Sequence, residues 1–325
     1  MSGDAGVVSV AIPVRNGGAV FEAVLRAVRR QVVPAGREVE IVVVDSSSSD
    51  GSAAAARAHG ARVVEIAAAE FSHGGTRNRL MELARGAHVA FLTHDAEPAH
   101  ERWLAELLAG FDAAPDVALV AGPYLPRPDA TPMVRRELEE WFARLAPLER
   151  AAPGERPDPG PRFFFSDANG AVARWAWEQV PYRPVPYAED RVLAAEMLAR
   201  GWARAYCPGA AALHSHAYGT LELGRRAFDE ARALREVYGH LAPADPRTLA
   251  LDAARRAAGD RRWLRARGAR GPRLAAWTVR AAGHHAVRGA GAALGARADR
   301  LPPALRRACS LERRAGFEPL PWPVV

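Results

Sequence analysis

Four short segments carry residues that could do chemistry: Val42-Val43-Val44-Asp45, Leu92-Thr93-His94-Asp95-Ala96, Ala188-Glu189-Asp190-Arg191 and His214-Ser215-His216. Asp45 ends a β-branched run. A carboxylate there can accept the imide N–H of uracil or thymine or a ribose hydroxyl, and it can also cap a following helix. Asp95 offers one hard oxygen to magnesium or manganese, the ions that absorb charge as a diphosphate leaves; its other reading is a helix cap. His94 and His100 add polar neighbours to it. His214 and His216 are two apart, so in a strand they share a face, where either completes a metal site or sits structurally in the core. Glu189-Asp190 precedes a helical run and suits its dipole. Asp190 also suits a general base that takes a proton from an attacking hydroxyl, with Glu189 orienting or binding the acceptor.

A fifth segment, Phe71-Ser72-His73-Gly74-Gly75-Thr76-Arg77-Asn78, opens a helix with paired glycines. Its amides could meet an anion while Arg77 reaches a phosphate or base; the plainer reading is a turn.

These residues need a scaffold that gathers strand ends. Val7 to Val14 reads as a buried strand, Pro13-Val14-Arg15-Asn16-Gly17-Gly18 as the turn after it, and Ala19 to Val32 as a helix. Strands at Val39 to Val44, Arg62 to Ile66, His88 to Leu92 and Val117 to Ala121 alternate with helices ending near Gly60, over Gly75 to Arg85 and near His100 to Phe111. In the loop after the second strand, Asp50 is the residue best placed as a helix cap. Met133 to Leu145 is amphipathic, and the proline-rich stretch from Ala152 to Pro161 reads as a surface loop, either a lid beside a site or a linker. Phe163 to Phe165 reads as a strand, Trp175 to Val180 and Arg191 to Arg200 as helices, and Ala203 to Leu213 as strands broken by Pro208-Gly209. Leu221 to Tyr238 reads as one long helix, followed by Arg/Ala helices with Gly and Pro breaks. Alternating strands and helices give an α/β fold with a mainly parallel sheet, whose ligands gather at the strands' carboxyl ends. The expected domains are residues 1–220 and a helical extension, 221–325.

The chain has 325 residues, nearly half of them apolar, enough for a sizeable core. Two cysteines, Cys207 and Cys309, exclude a disulfide framework and a four-thiol zinc site, and a cytosolic setting is expected. The start, Met1-Ser2-Gly3-Asp4, does not read as a signal peptide, and Val7 to Val14 is far short of the roughly 20 apolar residues of a bilayer span. Charge is uneven: residues 241–325 carry 17 arginines against six acids, whereas residues 1–240 have a net charge of −4. Arginine pairs there, interleaved with Trp263, Leu264, Leu274, Trp277 and Val279, fit either an anionic membrane interface or a packed helical layer.

Together the segments resemble family 2 glycosyltransferases of the GT-A fold, and within them bacterial dTDP-L-rhamnose transferases. The likeness rests on the segments around Arg77, Asp95 and His214-Ser215-His216-Ala217-Tyr218, and on Leu301-Pro302-Pro303-Ala304-Leu305-Arg306-Arg307. It implies a Rossmann-like nucleotide-diphospho-sugar transferase that moves a sugar with inversion to a glycan or lipid-linked acceptor in cell-surface polysaccharide synthesis. By that resemblance Pro13, Val14, Asn16, Asp45, Arg77, Thr93 and His94 lie on the nucleotide side; Asp95 with His214 or His216 holds Mg2+ or Mn2+; and Asp190 is the base beside Glu189. Where the family has an Asp-x-Asp motif, this chain has Thr93-His94-Asp95, with only its last acid, and His94 stands where the rhamnosyl group has Gln. The alternatives are a UDP-sugar donor, or a nucleotide-sugar-binding or nucleic-acid-binding protein without turnover. No nucleic acid is expected as a partner, and an enzyme on the inner face of the cytoplasmic membrane is.

Overall fold

The computed structural model describes residue 4, residues 6–152 and residues 155–320. Met1 to Gly3, in the expected start, and Pro153-Gly154, in the proline-rich loop, lie outside the described residues. In chain order the elements are β1 (Val7–Val14), α1 (Gly18–Arg29), β2 (Glu38–Asp45), α2 (Ser52–Ala58), β3 (Arg62–Glu65), α3 (His73–Leu83), β4 (His88–Leu92) and β5 (Glu97–Pro98). Then come α4 (Trp103–Ala109), β6 (Val117–Ala121), β7 (Tyr124–Leu125), α5 (Pro132–Phe142), β8 (Leu148–Glu149), β9 (Asn169–Ala173), α6 (Arg174–Trp177) and α7 (Glu189–Ala199). The chain closes with β10 (Ala203–Tyr206), β11 (Ala212–Leu213), α8 (Thr220–Tyr238), α9 (Pro246–Ala266), α10 (Gly271–Gly295) and α11 (Pro303–Cys309).

Eight strands form one sheet in the order β3-β2-β1-β4-β9-β6-β10-β8, and β5-β11-β7 form a second, small sheet. The large sheet is mainly parallel, as the alternation of strands and helices requires; β9 runs antiparallel to both its neighbours and β8 antiparallel to β10. Its central strands are apolar on both faces because both are covered. Helix α1 buries Phe21, Val24, Leu25 and Val28, the three- and four-residue spacing of one apolar stripe.

One sequence expectation fails, and one strand goes unread, at the same place. Phe163 to Phe165 do not form a strand: they are buried, and Phe164 meets Trp141, Phe142 and Tyr124 edge-on in an aromatic cluster. The strand is β9, a few residues later, whose Asn-Gly-Ala-Val-Ala sequence lacks the β-branched run that marks a strand. Small residues are needed there, since a Cβ on Gly170 would lie 2.6 Å from the Phe165 ring.

By their internal contacts residues divide into two compact units, Met1–Arg127 with Trp141–Ser215, and Pro128–Glu140 with His216–Val325. The second is helical: α10 packs against both α8 and α9. Within it Arg136 and His285 hold the buried Asp260 from two sides, at 2.6 Å each. No helix of the described residues is long and apolar enough to cross a membrane.

Candidate active site at the carboxyl edge of the sheet

The parallel register sets Val14 beside Asp45 at the ends of β1 and β2, and the two following loops are stitched together. Asn16, with a left-handed backbone, accepts from the Ser49 amide at 2.9 Å and donates its own amide to Ser48 Oγ at 2.8 Å; the Ser46 amide bonds Val14 O. Gly18 N donates to Asp50 at 2.8 Å, and Asp50 also accepts from the amide of Ser52, the first residue of α2; the N-cap itself is Gly51 rather than the expected Asp50, but Asp50 takes the amides at this corner. Asp45 therefore has no capping duty. It is fully buried, its Oδ1 accepts from Ser48 N at 2.7 Å, and its Oδ2 has no hydrogen-bond partner. Ser46 Oγ and Thr93 Oγ1 are likewise buried and unpartnered. Orphaned polar atoms of this kind are costly unless something bonds them, so these strand ends are a candidate ligand surface. Pro13 stands in register with Val44 of β2, past the point where the β1–β4 ladder ends at Ala11, so no pairing with β4 calls on its missing N–H.

Asp95 does not cap a helix either; the next element is β5, and α4 begins only at Trp103. The small sheet decides its neighbour. β11 runs antiparallel to β5, pairing Leu213 with Glu97, so the residue leaving β11 returns toward the residue entering β5. His214 Nδ1 lies 3.6 Å from Asp95 Oδ1, and the His214 amide is fixed by Leu125 O at 2.9 Å. Both histidines stand just past the end of β11 rather than within a strand. Asp95, His214 and His216 each offer one ligand atom, and the three atoms lie within 4.8 Å of one another. One carboxylate and two imidazoles suit a divalent cation. Arg127, which sequence reasoning missed, ties the group down: its guanidinium donates to Asp95 O at 2.6 Å and its amide to Ser215 Oγ at 3.0 Å. Tyr124 meets the His214 ring edge-on at 5.0 Å. Burial raises its phenol well above the ordinary range and keeps it neutral. His94 is half-buried on the loop, and His100 bonds Gly209 O at 2.8 Å, a structural tie.

Helix α3 opens with a side-chain cap on one of its first-turn amides. Ser72 caps it through Gly75 N at 3.2 Å, and Gly74 is there for packing, since a Cβ would fall 2.0 Å from Arg183 O. Arg77 turns inward: its guanidinium pairs with Asp167 and, at 2.7 Å, with Glu189 Oε1, all three side chains being buried. Burial works against that charge, but Glu189 and Asp167 outweigh it and hold Arg77 more firmly protonated. Burial pushes the Asp167 carboxyl upward against the opposing pull of Arg77, and it accepts from Tyr182 OH at 2.6 Å. Asn78, next along α3, bonds Tyr182 N, Tyr182 O and the Trp177 indole, fixing the approach to α7. That approach ends at Ala188, in a left-handed conformation that turns the chain into α7 at Glu189. The two adjacent carboxylates are thereby sorted: Glu189 is closed into the Arg77 pair, and Asp190 is partly exposed at the helix N-terminus. Asp167 and Tyr182 were not singled out from sequence, because neither lies in a recognisable phrase.

Residues 9–166 match the family model described as glycosyl transferase family 2. The chain is 31% identical over 194 residues to O-antigen chain rhamnosyltransferase WbaN of Salmonella anatum, covering 58% of this chain and 61% of that protein. It is 30% identical over 226 residues to O-antigen chain rhamnosyltransferase RfbN of Salmonella typhimurium, covering 68% and 70%. The match thus spans about three fifths of the first relative's length and somewhat more of the second's. Among solved structures, mannosyltransferase PcManGT from Pyrobaculum calidifontis, in complex with GDP-Man and Mn2+, superposes with a TM-score of 0.59, covering 90% of this chain and 88% of that one. At 19% identity that likeness is one of fold.

Proposed function

The chain belongs to glycosyl transferase family 2, and on that premise we propose that it moves L-rhamnose from dTDP-L-rhamnose, with inversion, to a glycan or lipid-linked acceptor in cell-surface polysaccharide synthesis. The donor sugar follows the two relatives, both rhamnosyltransferases by name. The acceptor would be met on the cytoplasmic side of a membrane.

The observation that carries the reading is the sorting of the two carboxylates at α7. Glu189 is committed to its ion pair with Arg77, while Asp190 remains partly exposed at the N-terminus of α7. In the proposed reaction the acceptor hydroxyl gives its proton to Asp190 as its oxygen attacks the anomeric carbon. The bond from that carbon to the diphosphate oxygen breaks on the opposite face, the electron pair leaves with dTDP, and the configuration inverts. The buried Asp45 carboxylate, with one oxygen unpartnered, would take the nucleoside, and the loop tied through Asn16 would hold that side in place. Asp95, His214 and His216 would hold Mg2+ or Mn2+, which when bound offsets the charge gathering on the departing diphosphate.

The test is thermal stabilisation of the protein by a panel of nucleotide sugars, with and without manganese, followed by the anomeric configuration of the product by NMR. Selective stabilisation by dTDP-L-rhamnose and an inverted product are expected. Preference for UDP-galactose or a UDP-hexosamine would replace the donor, and a retained configuration would remove Asp190 as base.

A further inference from the structure

In the helical unit, α9 and α10 bury one side each: Ala253, Ala257 and Leu264 on α9, Leu274, Ala281 and His285 on α10. An adjoining, solvent-facing side of α9 carries Arg247, Leu251, Ala254, Ala258, Arg261 and Arg265 at three- and four-residue spacing, and all six are exposed. Leu251 is 48% exposed, and on α10 Val279 is 73% exposed. Val279 lines a shallow surface groove with Ala275 and Thr278, and Arg261 borders the same groove, so apolar and cationic groups share one surface.

Acids do not neutralise it. Helix α10 contains no Asp or Glu, and of the two on α9, Asp260 is buried against Arg136 and His285 and Asp252 lies 4.0 Å from Arg255. Arg261, Arg262 and Arg265 make no ion pair among the described residues.

We infer that this face of α9 and α10 docks on an anionic lipid bilayer. Arginine heads would lie among lipid phosphates, their aliphatic stems over the interface, and Leu251 and Val279 at the acyl boundary. Duplex nucleic acid is the poorer match, because it gives exposed aliphatic groups no apolar partner. The tryptophans that could stack on bases are already engaged: Trp263 lies under Arg267 and donates to Glu139, and Trp277 lies under Arg280. The inference rests on the part of the proposed function that presents the acceptor at a membrane, and is independent of which donor is used.

The test is co-sedimentation of the full chain with vesicles of phosphatidylcholine alone or mixed equally with phosphatidylglycerol. Binding is expected only to the mixed vesicles and is lost as salt rises. Arg261→Glu with Arg265→Glu should weaken it by about thirtyfold or more, from about a fivefold contribution per arginine near an anionic surface. Val279→Asp should weaken it several-fold by a different route, and both variants should keep the wild-type melting temperature and stabilisation by nucleotide sugar. Equal recovery on neutral and mixed vesicles at low salt, or equal recovery of wild type and variants, would overturn the inference. So would salt-sensitive binding to duplex DNA with none to the mixed vesicles. Vesicle binding that holds while no nucleotide sugar stabilises the protein would sink the sugar-transfer reading and leave this one standing.

Discussion

Arg77 Nη1 lies 2.7 Å from Glu189 Oε1, so one buried guanidinium joins the second turn of α3 to the first turn of α7. It also pairs with Asp167, which precedes β9. The two contacts tie distant parts of the chain together, and they set which acid at α7 stays available.

Replacing Arg77 by Met should cost about 3–5 kcal/mol, because two buried carboxylates lose their countercharge. Arg77→Met combined with Glu189→Gln should recover part of that loss in a double-mutant cycle by urea denaturation. Strict additivity would mean the pair is not energetically coupled.

Asp190→Asn should lower turnover by about 10²-fold or more, the scale for losing a general base, while leaving donor affinity near wild type. Steady-state rates beside calorimetric donor binding separate the two effects. Turnover that does not change would take Asp190 out of the reaction.

Asp95→Ala should weaken manganese and dTDP binding together, since the ion and the diphosphate meet at one place. His214→Ala should act in the same direction. Titration of dTDP with manganese present is the measurement, and unaltered dTDP affinity would leave Asp95 a purely structural role.

In the helical unit, burial lowers the His284 imidazole to about 4, with His285 and Arg288 adding to the shift. Its folded value lies below its unfolded value near 6.5, so the unfolded chain binds more protons in between. Stability should therefore fall as pH drops from about 6.5 toward 4. The melting temperature at pH 5 should be below that at pH 7, and His284→Gln should narrow the gap; a variant with an equal gap would assign the acid sensitivity elsewhere.

Much of the scaffold was legible from local pattern alone. Val7 to Val14, His88 to Leu92 and Val117 to Ala121 are strands with the limits read from sequence, because an unbroken apolar run between turn residues admits little else. The long helix after Gly219 and the Pro- and Gly-bounded helices beyond it were legible for the same reason. Strand β9 was not, since its small residues answer to Phe165 and to two flanking strands rather than to any intrinsic preference.

The residue types of the site were equally visible, but their duties were not. A sequence gives no means of telling a cap from an open carboxylate when both sit at an element's end. Tertiary contacts decide: Asp50 satisfies the amides near Gly18 and Ser52, leaving Asp45 with an unpartnered oxygen, and Arg77 occupies Glu189, leaving Asp190. Likewise Asp95 and His214 are 119 positions apart and meet only because β11 pairs back on β5, a long-range ladder of two residue pairs that no local periodicity encodes.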